Sequence, residues 1–296
     1  MKTILMILFS FLISAEYIIS AEIHMYEERI NKQPKAVYTA EDQRIFYKYL
    51  AFISDFDSND VVELLEKSAV FFLEKPYVAH TLETEGEESV VVNLREFDCT
   101  TFVETIIALT QAVRSNNPTF YKFIEELQKL RYRGGVVNGY SSRLHYMTDW
   151  FYENQKNGIL KNISTDLGGV KEGKKINFMS NHRKEYKQLK SNDKNLNEII
   201  SFEGDINERG GFSYLPKSNI AITAQLIPHM SVIAFTTSIK GLDVSHTGFA
   251  FQKDGELTFI HASTLLGKIV IDKKTLSEYC NSQNSCTGVV VGVLSD

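Results

Sequence analysis

The sequence predicts an α+β fold in which a helix headed by a single cysteine packs on an antiparallel sheet. Three observations predict it. Apolar residues recur at helical spacing through the first half of the chain, with breaks at Lys75-Pro76 and Asn116-Asn117-Pro118. From Ile220 the period changes to two, giving strands at 231–237, 244–252, 257–262, 269–271 and 287–294. Asp254-Gly255 lies between two such runs, a strong hairpin signal. Helices first and strands last is the layout of an α+β domain rather than a βαβ series.

In chain order, Met1-Lys2-Thr3 and the apolar run from Ile4 to Ile13 read as an export signal, too short for a comfortable transmembrane span. Ile19-Ser20-Ala21 offers a cleavage site, so 1–21 is the expected signal peptide. No cysteine follows the run to take a lipid. Amphipathic helices are expected at 41–54 and 59–73, the second capped by Asp57 or Ser58. They make 22–74 a helical N-terminal extension, forming one compact unit with a main domain at 75–296. An acidic stretch, 83–88, precedes a short strand at 90–94. The helix starting at Cys99 runs to about Arg114, and Pro118 suits the first position of a helix at 119–130. Beyond the loop marked by Gly134, Gly135 and Gly139, another helix ends near Asn157. The polar segment 158–211 is expected to be a helical insertion, broken near Asn192, and a short helix at 275–280 interrupts the strands.

Of 296 residues, 43% are hydrophobic and 23% charged, and the formal net charge is -5. Such a chain has ample core for one large or two small globular domains. A mildly acidic balance without basic clusters argues against nucleic acid as the main partner. No segment after the signal could cross a bilayer. The cysteines are Cys99, Cys280 and Cys286, and an odd count in an oxidising compartment leaves at least one free thiol. Cys280 and Cys286 are close enough in sequence to bridge, which sequence alone does not establish. On that pairing Cys99 stays free.

The chemistry centres on Phe97-Asp98-Cys99-Thr100-Thr101-Phe102-Val103-Glu104. Asp98 can cap the helix, and Phe102, Val103, Ile106, Ile107, Thr110 and Val113 form an apolar stripe below the thiol. The helix dipole favours the thiolate in the first turn, whereas the Asp98 charge opposes it, so a basic partner is needed. If Asp254-Gly255 forms the hairpin turn, Lys253 faces Glu256 and Gly248 faces His261. His246 then lies diagonal to His261 on the same sheet face, within reach at roughly 7–8 Å between backbones. A thiol and two touching histidines fit the nucleophile, base and orienter of acyl transfer, with Cys99, His246 and His261 in those roles.

These runs resemble the NlpC-type papain-like cell-wall hydrolases. Asp98-Cys99-Thr100-Thr101-Phe102-Val103 matches their cysteine signature, Ser245-His246-Thr247-Gly248 their histidine strand, and Ile260-His261-Ala262-Ser263 the strand bearing their third polar residue. Tyr77, in Lys75-Pro76-Tyr77-Val78-Ala79, resembles the tyrosine they place before the cysteine. The whole run is similar to the N-acetylmuramoyl-L-alanine amidase-like branch of that superfamily. The further stretches are Tyr140-Ser141-Ser142-Arg143-Leu144-His145-Tyr146, Asn177-Phe178-Met179-Ser180 and Gly241-Leu242-Asp243-Val244-Ser245-His246. Two departures stand out: a usual glycine is replaced around Glu74-Lys75, and a usual Gly-Asp by Met230-Ser231.

The resemblance implies a papain-like core and hydrolysis of the amide joining a muramyl lactyl group to L-alanine, in peptidoglycan or muropeptides. Cys99 would form an acyl-enzyme, with the Cys99 N–H and the Tyr77 hydroxyl stabilising the oxyanion. Arg143 would pair with a stem-peptide carboxylate, the alternative being a surface or structural ion pair, and Tyr140, Ser141, Ser142 and His145 would line the same cleft. No metal or other cofactor is required, and the site would be periplasmic or secreted. Competing readings are a peptidase cutting between D-Glu and the diamino acid, a zinc amidase using Cys99, His246 and His261, and an inactive wall-binding module.

Overall fold

The computed structural model describes residues 34–56, 60–115 and 117–295. The expected signal peptide and the Asp57 or Ser58 cap lie outside them. The chain divides into units 1–35 and 36–296, and the elements named below belong to the second. Its helices of seven residues or more are α1 (Ala40–Ile53), α2 (Val61–Phe71), α3 (Cys99–Arg114), α4 (Phe120–Arg131), α5 (Met147–Lys156), α6 (Asp193–Glu208) and α7 (Leu276–Ser282). Its strands are β1 (Ala36–Val37), β2 (Val90–Val91), β3 (Leu160–Asn162), β4 (Val170–Glu172), β5 (Phe212–Pro216), β6 (Val232–Thr237), β7 (Val244–Lys253), β8 (Glu256–Ser263), β9 (Lys268–Ile271) and β10 (Cys286–Leu294).

The fold is α+β around an antiparallel sheet ordered β4-β5-β10-β6-β7-β8-β9, with β3 also paired to β10. A separate parallel pair, β1 and β2, ties the start of the unit to the segment before Cys99. One face of the sheet carries Val232, Ala234, Phe249, Ile260, Ala262 and Val290, packed in one core cluster with α1 to α5. The other face carries Ile233, Phe235, Ala250, Phe259 and Val289, clustered with Leu276 and Cys280 of α7.

Local chemistry explains the helix starts. Thr39 and Asp42 form a capping box on α1, and Thr119 caps α4 by accepting from the Lys122 N–H. Pro118 therefore precedes the cap instead of occupying the first helical turn. Asp60 caps α2 through the Glu63 N–H, so that helix starts later than its apolar period suggests. The apolar stripe expected on α3 is wider than a stripe. Residues 101–110 are all buried, because α2, α4, β7 and β8 pack around the helix. Burial extends to Glu104, whose carboxylate accepts from Arg131 Nε at 2.7 Å.

The segment 158–211 differs from the expected helical insertion. It contributes α6, whose N-cap Asn192 stands where the helices were expected to break, but also β3 and β4, which with β5 extend the sheet beyond β10. At three to five residues these strands are too short to display a period. Two sequence motifs from distant parts of the chain meet here. The N–H groups of Asn177 and Phe178 both donate to the Gly241 carbonyl, and buried Asp243 accepts from the Thr148 N–H and hydroxyl.

Candidate active site

Asp98 caps α3 by accepting from the Thr101 N–H at 2.7 Å, while the Thr101 hydroxyl accepts from the Asp98 N–H. This reciprocal box fixes the entry angle and sets Cys99 at the first helical position. Tyr77 is drawn alongside by the chain itself, since Tyr77 and Phe97 form a parallel bridge and the Val78 N–H donates to the Phe97 carbonyl. The Tyr77 hydroxyl is hydrogen-bonded to Thr264. Burial, and then the Cys99 and Asp98 charges, raise that phenol above its ordinary range, so it stays protonated.

The β7–β8 register has Lys253 opposite Glu256 and Phe249 opposite Ile260, and this ladder ends at the latter pair. Beyond it the Thr247 N–H, on the strand edge that faces β8, donates to the Cys99 sulfur. The helix head therefore meets the sheet one residue from His246. A Cβ on Gly248 would lie 2.7 Å from the Ile260 carbonyl oxygen and 2.9 Å from His261 Cβ. Only a glycine leaves the His261 ring this space.

His246 and His261 meet edge to face, with Nε2 of His246 2.6 Å from Nδ1 of His261. Nε2 of His261 lies 3.3 Å from Oδ2 of Asp272, a residue just past β9 that sequence reasoning did not single out. These contacts assign the protons. A carboxylate only accepts, so His261 carries its hydrogen on Nε2 and presents Nδ1 as an acceptor. His246 then donates from Nε2, leaving its Nδ1 as the unprotonated, basic nitrogen. Asp272 is partly desolvated, which opposes ionisation. Hydrogen bonds from His261 and the Lys274 N–H outweigh this and hold it below the ordinary carboxylate range.

Burial dominates the rest of the site. It pushes the Cys99 thiol up to about 12, helped by the Asp98 charge and opposed by the Thr247 and Thr100 hydrogen bonds. It pushes His246 down to about 3, with His261 acting in the same direction and Asp272 against it. The resting pair is a neutral thiol and a neutral imidazole. His246 opens onto a cleft of about 1000 Å³. Ser245, Ser263, Thr264, Asp272 and Tyr279 line it.

Tyr77, Cys99, His246 and His261 are thus gathered at one place. The expected substrate-binding residues form a neighbouring cluster with partners of its own. Arg143 Nε and Nη2 pair with Glu88 at 3.1 and 3.0 Å, and Nη1 with Glu83 at 3.1 Å. Tyr140 lies under that guanidinium. Ser141 donates to Glu198 and Ser142 to the Gly139 carbonyl. His145 donates to the Tyr140 carbonyl at 2.9 Å, and burial, then the Arg143 charge, push it down to about 3. The cluster adjoins α3, because Glu104 feels the charges of both Arg143 and Asp98.

Among the described residues no group of three or more His, Cys, Asp or Glu side chains is placed to hold a metal ion. Cys280 and Cys286 form a disulfide, and Cys99 is the free thiol.

A family model described as N-acetylmuramoyl-L-alanine amidase-like matches residues 67–289. No curated protein matches. Among solved structures, an N-acetylmuramoyl-L-alanine amidase from Bacteroides uniformis is 36% identical with a TM-score of 0.75, covering 78% of this chain and 99% of that one. A second structure of that name and organism gives 34% identity and a TM-score of 0.72, covering 80% and 99%. A Legionella pneumophila protein, 22% identical, shares the fold with a TM-score of 0.65 over 86% of this chain and 95% of that one. With most of its length matched, the chain belongs to the N-acetylmuramoyl-L-alanine amidase-like family.

Proposed function

We propose that the protein is a cysteine amidase that hydrolyses the bond between N-acetylmuramic acid and L-alanine in peptidoglycan or muropeptides. The observation that carries this reading is the chain Cys99–Thr247, His246–His261, His261–Asp272, which leaves His246 Nδ1 as the one basic nitrogen of the pair. The papain-like, NlpC-type assignment of the core belongs to the same proposal. So do export through residues 1–21 and, from residue 36 on, one unit joining the N-terminal helices to 75–296.

The reaction needs only these groups. The Cys99 proton passes to His246 Nδ1 as sulfur attacks the lactyl carbonyl carbon. The Cys99 N–H and the Tyr77 hydroxyl donate to the oxyanion. The carbon–nitrogen bond breaks as His246 returns the proton to the L-alanine nitrogen. Water, deprotonated by His246, then cleaves the thioester and restores the thiol. Because thiol and imidazole both rest neutral, the proton leaves Cys99 for His246 only as the sulfur attacks the carbonyl carbon. Arg143 with Tyr140, Ser141, Ser142 and His145 is assigned to the stem-peptide side. A substrate carboxylate would reach Arg143 by displacing Glu83, the single-bonded of its two partners.

Mass spectrometry of a muropeptide digest, with wild type and Cys99→Ala in parallel, tests the reading. The expected product is free stem peptide beginning with L-alanine, absent with the variant. Cleavage inside the stem would replace the amidase by a peptidase. Binding without turnover, equal in the two proteins, would make the chain a wall-binding module.

A further inference from the structure

The active-site cleft has a wall that the mechanism above does not use. Tyr279 of α7 packs against Phe259 and Phe235 at 4.7 and 4.9 Å between ring centroids, and against His246 and His261 at 5.9 and 5.8 Å. Its hydroxyl is close enough to Cys99 and Asp272 to feel both charges. Together with burial these keep it protonated, up to about 12. Among the described residues it donates to no protein acceptor, and Tyr279 lines the cleft. A protonated donor without a protein partner, beside the nucleophile, is placed to meet a substrate carbonyl or hydroxyl.

The helix that carries this ring is short. α7 is seven residues long, begins at a Thr275–Glu278 capping box, and turns Leu276 and Cys280 into the core. The residue after Tyr279 is Cys280, bridged to Cys286 at the start of β10, next to β6 in the sheet. The bridge closes the loop that returns from α7 to the sheet, and Gln283, Ser285 and Cys286 line the same cleft.

We propose that Tyr279 is a substrate-contacting residue of the cleft and that the Cys280–Cys286 bridge holds it over the histidine pair, so that the site is complete only in the oxidised protein. The proposal rests on the amidase reading for its substrate, but not for its redox part. A dithiol reductant delivers two electrons and two protons to the bridge, leaving thiols at Cys280 and Cys286 and its own disulfide. Cys99 takes no part. The site thus needs one cysteine reduced and two oxidised, a combination suited to a compartment where disulfides persist.

The test compares wild type, Cys280→Ser/Cys286→Ser and Tyr279→Phe, each shown folded by circular dichroism. It measures muropeptide turnover and the rate at which iodoacetamide alkylates Cys99. Loss of the bridge should lower kcat/KM by about tenfold or more. It should also speed Cys99 alkylation at neutral pH by about threefold or more, because water reaching His246 restores its basicity. Tyr279→Phe keeps the ring, so it should raise KM several-fold with alkylation unchanged. Wild-type rates for both readouts in the folded double serine variant would overturn the role of the bridge, and an unchanged KM in Tyr279→Phe that of the hydroxyl. If the serine variant does not fold, wild type treated with dithiothreitol, its opened bridge confirmed by mass, gives the same comparison. If wild type cleaves no muropeptide, the amidase reading fails, while the alkylation rates still decide whether the bridge holds the site.

Discussion

Asp272 shows how one carboxylate can act at a distance through two rings. Its bond to His261 fixes which nitrogen of His261 accepts, and that choice fixes which nitrogen of His246 stays basic. Asp272→Asn keeps the size and an acceptor oxygen but removes the charge that supports an imidazolium at His246. The contact at 3.3 Å is long and the carboxylate is partly exposed, so the loss should stay well short of that in Cys99→Ala. We expect kcat to fall by about 10- to 100-fold with KM nearly constant, measured on a muropeptide. A kcat equal to wild type would mean that His261 is oriented without Asp272. At this scale the sequence was partly legible. Cys99, His246 and His261 could be named because a cap, a hairpin and period-two alternation place them by local rules. Asp272 and Tyr279 could not, since their positions depend on how β9 and α7 return to the sheet. The two departures from the family pattern have a backbone meaning. Glu74 and Met230 both adopt left-handed φ angles, 69° and 59°, which glycine takes freely and other residues at roughly 1–2 kcal/mol. Met230 offsets this by burying its side chain in the core, and Glu74 pairs with Lys268 at the surface.

The hairpin β7–β8 is the element that assembles the site, and its one indispensable feature is an absence of side chain at Gly248. The nearest obstacle to a Cβ there is a backbone oxygen of the partner strand, which cannot swing aside as a flexible side chain would. Gly248→Ala must therefore spread β7 from β8 at the point where His261 reaches for His246. A shift of a few tenths of an ångström would lengthen a 2.6 Å contact beyond its optimum. Overpacking of this kind costs about 1–3 kcal/mol of stability, and misplacing a catalytic pair by up to 1 Å costs up to about 100-fold in rate. The expected outcome is a folded protein with a modestly lower Tm and kcat reduced by about tenfold or more. Full activity with an unchanged Tm would show that the hairpin tolerates the methyl group. The register of this hairpin is readable in the sequence, because a two-residue turn and period-two alternation admit a single pairing. The short strands β3, β4 and β5 were not, because strands of three to five residues leave no pattern to read. The all-round burial of α3 over 101–110 was also hidden, since Glu104 and the threonines look polar until Arg131 and the packed neighbours are in place.

For the molecule as a whole, two half-buried histidines, neutral in the folded state, make acid the weak side of its stability. His246 and His145 each sit near 3 in the folded protein, against about 6.5 in an unfolded chain. The folded state thus binds fewer protons than the unfolded state between those values, and stability falls as pH drops through that window. The contribution is complete above about pH 6.5 and is lost progressively toward pH 3, at no more than about 1.4 kcal/mol per pH unit for each ring. Asp272, held below the ordinary carboxylate range, adds to the loss in the same direction, but only below about pH 4. Two rings acting together over two pH units can remove about 5 kcal/mol, a large share of the 5–15 kcal/mol that holds a typical domain. Thermal melts from pH 7.5 to 4.5 should therefore show a Tm that is flat at first and then drops steeply below about pH 6. His145→Gln offers the clean comparison, because its amide can still donate to the Tyr140 carbonyl that His145 bonds and carries no titrating proton. That variant should lose stability with acid at about half the wild-type slope, leaving His246 to account for the rest. Equal slopes in the two proteins would mean that His145 is already solvated enough to protonate in the folded state.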